Sequence, residues 1–329
     1  MSGHTTLEEV QTNPRDHHAV KAWTSLPHAH LSPDRISVLY DERKTQVYKL
    51  HVDGKSRSSV IAKRCRRQSA LLEKKLYEQV LPHLPVVGLR YYGSVDEPAG
   101  EFCWLFLEEV RGKQFSAASE DHRQLAAQWV GAVHAAATDV PAAATLSDRS
   151  AEYYLEQLRM ARAEMEQGLA NPVLTANSRH VKLVTEMLSQ LDSLQRQWNE
   201  IADYCNSMPR TLVHGDLMVK NVRVRRTRGQ SRLLVMDWET SGWGVPGIDI
   251  AQLGGRMSIS PELMLYHSLI QKRWPSIGIH EVQRLADYGG IFRLICAIRW
   301  ATRDLPTHWV DDGIDDLRCY QTRLTQHLK

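Results

Sequence analysis

At 329 residues, 43% of them hydrophobic and 24% charged, the chain has the composition of an ordinary soluble globular protein long enough for two domains. A net charge of +3 is too small to argue for nucleic acid as a partner. No run approaches the ~20 apolar residues of a membrane span, and MSGHTTLEEVQ lacks the basic-then-apolar order of a signal peptide.

The five cysteines (Cys65, Cys103, Cys205, Cys296, Cys319) are scattered without disulfide or metal spacing, so the expected compartment is the reducing cytoplasm. The histidine pairs His17-His18 and His28-Ala-His30 have no acidic or thiol partners beside them and read as surface residues. Basic residues cluster in Lys63-Arg-Cys-Arg-Arg and from Arg223 to Arg232, the second group forming the solvated face of a hairpin.

Taken in chain order, residues 1–33 read as an N-terminal extension, with a short helix from Asp16 to Leu26 before Pro27 and Pro33. Three strand-like runs follow: Ile36–Tyr40, Gln46–Val52 and Ser58–Lys63, separated by the turn-like Asp41–Thr45 and Asp53-Gly-Lys. The helical pattern of Gln68–Val80 places Leu71, Leu72, Leu76 and Val80 on one face. Phe102–Leu107 reads as a buried strand, followed by Glu108-Glu-Val-Arg-Gly. From Ser119 onward the chain is mostly helical: Glu120–Ala137, Ala151–Gln167, Val181–Cys205, Pro261–Arg273, His280–Arg303 and Trp309–Leu328. A small mixed domain of residues 34–112 is therefore expected before a larger helical one of residues 113–329, with the active site between them.

The densest chemistry lies in LVHGDLMVKNVRVRRTRGQSRLLVMDWETSGWGVPGIDIAQL, from Leu212 to Leu253. Asn221-Val-Arg-Val-Arg alternates as a half-buried strand should, Gly229 is free to take positive φ, and Arg232-Leu-Leu-Val-Met is fit for a second strand. A hairpin folded about Gly229 pairs residues whose numbers sum to 458, which sets Asn221 opposite Asp237 with Cβ atoms roughly 5 Å apart. Two oxygen-bearing side chains at that spacing suit Mg²⁺, which takes one or two protein ligands and completes its octahedron with phosphate and water. Asp216, on the incoming loop, is left to face an acceptor hydroxyl.

HGDLxxxN followed by a DWE end resembles the aminoglycoside phosphotransferase and choline kinase family, relatives of the protein kinases, over about 40 residues. The resemblance implies an α+β, bilobal protein-kinase-like fold: a small antiparallel-sheet N-lobe with one helix, and a larger mainly helical C-lobe. It implies that Asp216 accepts or orients the acceptor proton and that Asn221 and Asp237 hold the metal. Glu239 stands where protein kinases have the Gly of DFG, and Asp249 matches an Asp supporting the catalytic loop. Lys63, ending Val-Ile-Ala-Lys, matches the Lys that neutralises the ATP phosphates; its carboxylate partner is Glu73 in preference to Glu78.

The same resemblance places adenine against the backbone of the hinge, at Glu109 and Val110. No Gly-rich loop covers the phosphates; Thr45, with Arg43 or Lys44, is the candidate replacement. Lys220 is a candidate to reach the transferring phosphate, the alternative being an exposed lysine beside the loop. The implied activity is ATP- and Mg²⁺-dependent transfer of the γ-phosphoryl group to a small-molecule hydroxyl, in an antibiotic, an aminoglycoside-like compound or a metabolic alcohol. The alternatives are a nucleotide-binding pseudokinase acting as a scaffold and, disfavoured because no APE-like activation segment follows Asp237, a protein kinase.

For the acceptor the residues point two ways. Asp311, Asp312, Asp315 and Asp316, near Trp300 and Trp309, suit a cationic acceptor through charge and cation–π contact, or else serve a helix macrodipole. Arg293, Arg299 and Arg303 suit an anionic or polyhydroxylated one. Monomer and homodimer are both open, the extension being a candidate to cover the small lobe or to mediate a dimer.

Overall fold

The computed structural model describes residues 8–10, 13–27, 32–42, 44–52, 58–254, 260–307 and 309–327. The turn Asp53-Gly-Lys, Arg43 and the His28–His30 pair lie outside the described residues. The chain forms two compact units, one from Met1–Ser116 with Val219–Thr240, the other from Ala117–Met218 with Ser241–Lys329.

The first unit is built on an antiparallel sheet. Its strands are β1 (Glu8–Glu9), β2 (Pro33–Glu42), β3 (Thr45–Val52), β4 (Ser58–Arg66), β5 (Tyr91–Asp96) and β6 (Phe102–Glu108), in spatial order β1-β2-β3-β4-β6-β5. The two-residue side-chain period of β4 assigns its faces. Val60 and Ala62 join Trp104 and Phe106 of β6 in one cluster, which helix α1 (His18–Thr24) covers with Ala19, Val20 and Trp23. The Trp23 and Phe106 rings lie 5.4 Å apart. The short helix expected in the extension thus packs into the core of this unit, and His17 caps α1 by accepting the Ala19 N–H at 3.2 Å.

On the opposite face, Cys65 joins Cys103, Leu105 and Ala70 of helix α2 (Arg67–Lys75), so the same alternation turns Lys63 toward α2. The inward side of α2 and the π-helical turn after it is Ala70, Glu73, Leu76, Tyr77 and Val80. Leu71, expected on that face, is 46% exposed. The helix is rotated from the apolar reading because a carboxylate occupies the inward position and is compensated there by Lys63.

Strand β7 (Lys113–Gln114) pairs antiparallel with Val222–Thr227, which pairs with Gln230–Val235. A Cβ on Gly112 would lie 2.7 Å from the Val224 carbonyl oxygen, so the strands need a bare backbone there. This pairing ties the hairpin to the first unit, whereas the sequence division at residue 112 assigned it to the helical part. The hairpin register also differs from the expected one. Val222 faces Val235 and Thr227 faces Gln230, pairs that sum to 457 and not 458. Both Arg228 (φ 49°) and Gly229 (φ 82°) take positive φ, the signature of a two-residue type I′ loop, so the chain turns between them and not about Gly229. Asn221 then lies opposite Met236, whose N–H donates to the Asn221 carbonyl at 3.0 Å.

The second unit is helical around a small sheet of Asp148–Arg149, Gly242–Gly244 and Thr211–Val213, whose strands are too short for periodicity to reveal. The expected single helix Val181–Cys205 is two, Ser178–Arg196 and Trp198–Asn206. Gln197 (φ −90°, ψ 0°) breaks it and lets Trp198 turn into the core, 5.9 Å from the Phe292 ring. Phe292 itself stacks on Tyr154 at 4.3 Å.

The helix Ile279–Thr302 crosses Gly247–Gly254 at glycine: a Cβ on Gly289 would sit 2.0 Å from the Gly247 carbonyl oxygen. Gly289→Ala is expected to force the helices apart and to lower stability by about 1–3 kcal/mol. Thermal unfolding checks this; an unchanged Tm would show that the crossing has room to give.

Candidate active site

In the first unit, β4 and α2 bring Lys63 and Glu73 together, with 2.6 Å between Nζ and Oε1. The hairpin delivers Asp237, whose Oδ1 lies 2.5 Å from the same nitrogen. Asp237 follows directly on the last paired position and takes φ 67°, uncommon for a non-glycine residue and associated with functional sites. That turn out of the strand is what directs its carboxylate at Lys63 and not along the hairpin edge. Side-chain exposure is 10% for Lys63, 0% for Glu73 and 31% for Asp237, so the site opens toward solvent on the Asp237 side.

Burial by itself would push the Lys63 ammonium down; the charges of Glu73, Asp237 and Glu239 outweigh it and hold the ammonium well above its ordinary range. For Glu73, burial pushes the carboxyl up and Lys63 opposes it. Among the described residues the second Glu73 oxygen, Oε2, is buried with no hydrogen-bond partner, so Lys63 carries the compensation for that carboxylate. The Tyr40 hydroxyl, which sequence reasoning passed over, is pushed up to about 12 by its hydrogen bond with Glu42, then by burial and by the charges of Glu42, Glu239 and Asp237. Glu42 is two residues along the same strand, but β2 reaches Asp237 and Glu239 only through the folded sheet.

The remaining expected residues fall as follows. Asn221 is buried in the turn Val219–Asn221 and Lys220 is exposed beside it. Thr45 opens β3 opposite Glu42 and is half-buried. The Glu109 carboxylate is held by Lys49 at 2.5 Å and Arg111 at 2.9 Å, so its side chain serves the local structure; Val110 is half-buried.

In the second unit, the loop carrying Asp216 is pinned from behind. Asp249, 1% exposed, accepts the His214 N–H at 2.7 Å on one oxygen and the Gly215 N–H at 2.8 Å on the other. Gly215 takes φ 79°, which lets the loop turn there at little steric cost. The Asp216 N–H donates to His214 Nδ1 at 3.2 Å, which makes Nδ1 an acceptor and leaves the ring proton on Nε2. Behind Asp249, His134 Nε2 lies 3.3 Å from Oδ2, and His134 Nδ1 lies 2.9 Å from the Tyr266 hydroxyl. His134 and Tyr266 were missed in the sequence because they come from helices 132 residues apart and form no spacing pattern.

Asp249→Asn replaces an acceptor with an amide NH₂ facing a backbone N–H. It is expected to cost about 2 kcal/mol of stability, read by urea unfolding; a cost below 0.5 kcal/mol would show that the loop holds itself.

The C-terminal helices divide the acceptor candidates. Asp311, Asp312, Asp315 and Asp316 are exposed in the opening turns of Val310–His327, with Asp315 paired to Arg318 at 2.9 Å. Trp300 and Trp309 are 56% and 60% exposed, and the Arg303 guanidinium lies over the Trp300 ring at 4.3 Å. Arg299 is buried and ion-paired to Glu164 at 2.5 Å, so it is a structural residue and not an acceptor contact. Arg293 alone of the three turns to the catalytic-type loop, its Nη2 against the Met218 sulfur.

Residues 38–268 match the model of a family described as the phosphotransferase enzyme family. No curated protein matches the chain by sequence. Among solved structures, the chain is similar to a microcompartment-associated aminopropanol kinase (14% identity, 94% of this chain and 96% of that one, TM-score 0.64). It is similar to choline kinase from Cryptosporidium parvum Iowa II (14%, 93% and 92%, TM-score 0.60). It is also similar to APH(2")-IIia in its GDP and kanamycin complex (14%, 90% and 96%, TM-score 0.59). At these identities the likeness is one of fold.

Proposed function

Since the chain belongs to the phosphotransferase enzyme family and has its protein-kinase-like fold, we propose that it transfers the γ-phosphoryl group of ATP to a hydroxyl of a small molecule. The observation that supports this best is the Lys63 ammonium held charged between Glu73 and Asp237. A buried cation fixed by one carboxylate and bordered by a second, partly exposed one is what a nucleotide's phosphates and their metal need. In this reading Lys63 neutralises the α and β phosphates, and the backbone at Glu109 and Val110 meets the base, with Thr45 beside the phosphates. Among the described residues no group of three or more His, Cys, Asp or Glu forms a metal cage. The donors at the hairpin end, the Asp237 carboxylate and the Asn221 amide, are hard oxygen ligands of the number that suits Mg²⁺ on a nucleotide. Bound there, Mg²⁺ would neutralise charge on the transferring group.

Asp216 orients the acceptor hydroxyl and takes its proton as the oxygen attacks phosphorus; the bond to the ADP oxygen breaks, and the proton leaves through Asp216. The loop's rigid support by Asp249 serves positioning, which supplies most of the catalysis in phosphoryl transfer. Lys220 is assigned to the transferring phosphate. Among the described residues no helix is long and apolar enough to cross a membrane, and we place the reaction in the cytoplasm, on a monomer or homodimer.

The test is Mg²⁺-dependent ADP release by the purified chain against aminoglycosides, other hydroxylated antibiotics, choline, amino alcohols, sugars and nucleosides. Phosphorylation of one class supports the reading; absence of ATP binding sinks it. Asp237→Ala is expected to weaken Mg²⁺-dependent ATP binding by about 100-fold, since loss of even an outer-shell partner of a metal ligand costs 10–100-fold. Calorimetry with and without Mg²⁺ reads this, and equal affinity in both proteins would remove Asp237 from the metal.

A further inference from the structure

Arg293 projects from the helix Ile279–Thr302 toward the loop that carries Asp216 and is half-buried against Met218. Among the described residues it makes no ion pair, in contrast to Arg299, which is neutralised by Glu164. The groups that act on it are Asp216, Arg323 and Tyr320, the last two from the helix Val310–His327. Asp316, one turn before Tyr320, acts on that tyrosine. Burial pushes the guanidinium down from its ordinary range and Asp216 opposes this, so the charge is kept at some cost in a place where water is partly excluded. A second cation, Arg149, and Asp216 both act on the half-buried Cys296 thiol, one turn along the same helix from Arg293. Arg293, in contact with Met218 two residues after Asp216, is thus the cation that this helix presents to the loop. Arg293, Arg323 and Tyr320 lie beyond residue 268, where the family match ends.

An arginine kept partly buried without a carboxylate has its planar fork available for an oxyanion, which it grips in two parallel hydrogen bonds. We propose that the acceptor is a hydroxylated anion, a small molecule bearing a carboxylate or a phosphate, and that Arg293 binds that anion so that the hydroxyl meets Asp216, with Tyr320 and Arg323 as flanking contacts. This rests on the phosphotransferase reading and selects its substrate class: the exposed Asp311–Asp316 cluster belongs to the helix start, and cationic alcohols are rejected by the charge beside Asp216.

The experiment measures ADP release by the full chain with Mg²⁺–ATP and small alcohols of matched size carrying a carboxylate, a phosphate, an ammonium or no charge. Calorimetric binding of the same alcohols is measured in parallel. An anionic alcohol is expected to exceed its neutral counterpart in kcat/KM by about 100-fold. Arg293→Gln should bring that ratio to within about 10-fold mainly through KM, and Arg293→Lys, which keeps charge without the fork, should fall between. Whether the carboxylate or the phosphate compound leads identifies the anion's source. Binding of an anionic alcohol that is lost in R293Q supports the proposal even where turnover is slow. A preference for the ammonium compound, a ratio that R293Q leaves unchanged, or no binding of either anion overturns it, while ATP binding and phosphorylation of another class leave the phosphotransferase reading standing. Absence of ATP binding would defeat that reading instead, and this proposal with it.

Discussion

Asp216→Asn is expected to lower kcat by roughly 10²- to 10⁴-fold, the contribution of a positioned general base, or about 3–5 kcal/mol of barrier. The substitution is isosteric and removes only the proton-accepting charge. The loop should keep its shape, because its support comes from backbone groups: the Asp216 N–H to His214 Nδ1 at 3.2 Å, and the His214 and Gly215 N–H groups to Asp249 at 2.7 and 2.8 Å. None of these uses the Asp216 side chain. The groups proposed for the nucleotide, Lys63, Asn221 and Asp237, belong to the other unit. ATP affinity should therefore change by less than about threefold, within the 1.4 kcal/mol that separates a factor of 10. Steady-state turnover and calorimetry on the same preparation check both halves. Full turnover in the variant would remove Asp216 from the chemistry; loss of ATP binding would make it a nucleotide residue instead.

The second large effect belongs to Lys63. Lys63→Met keeps the length of the stem but removes the ammonium from between two carboxylates, one of them, Glu73, with no exposed side-chain surface and one oxygen already without a partner. Breaking a buried pair from one side leaves an uncompensated charge, and a loss of about 3–5 kcal/mol in stability is expected. The remaining carboxylate can escape by taking up a proton, so the loss should shrink as pH falls. Glu73→Leu added to Lys63→Met should recover a large part of it, because two apolar side chains can then pack where the pair stood. Urea unfolding of the wild type, the single variant and the double variant measures this. A single-variant cost under 1 kcal/mol would show that water already reaches Glu73. Both variants should lose productive ATP binding, which separates what the pair does for the fold from what it does for the nucleotide.

Local chemistry made much of this protein legible. The alternation in Val222–Thr227 and Gln230–Val235, the apolar runs of β2 to β4 and β6, and the long helical periodicities other than Val181–Cys205 appear where the sequence placed them, because each is determined by residues within one turn or one strand pair. The loop motif around Asp216 and the acidic hairpin end were equally local. Short strands were not legible: Asp148–Arg149, Thr211–Val213 and Gly242–Gly244 carry two or three residues each, too few for any period to show.

Where two elements meet, the sequence left the decision to the fold. The hairpin shifted by one residue because Arg228, without help from glycine, took positive φ beside Gly229. Helix α2 turned Glu73 inward and Leu71 outward because a charge partner on β4 outweighed an apolar stripe. The helix before Gln197 ended where Trp198 turned in to pack beside Phe292. His134 and Tyr266 are ordinary residues along the chain, and their positions behind Asp249, like that of Arg293 against Met218, come from helices far apart in sequence. Spacing along the chain specified the kinds of chemical groups and their local geometry; which group meets which, and therefore which charge is compensated, was decided by packing, since burial makes an unmatched charge far more costly than a misplaced leucine.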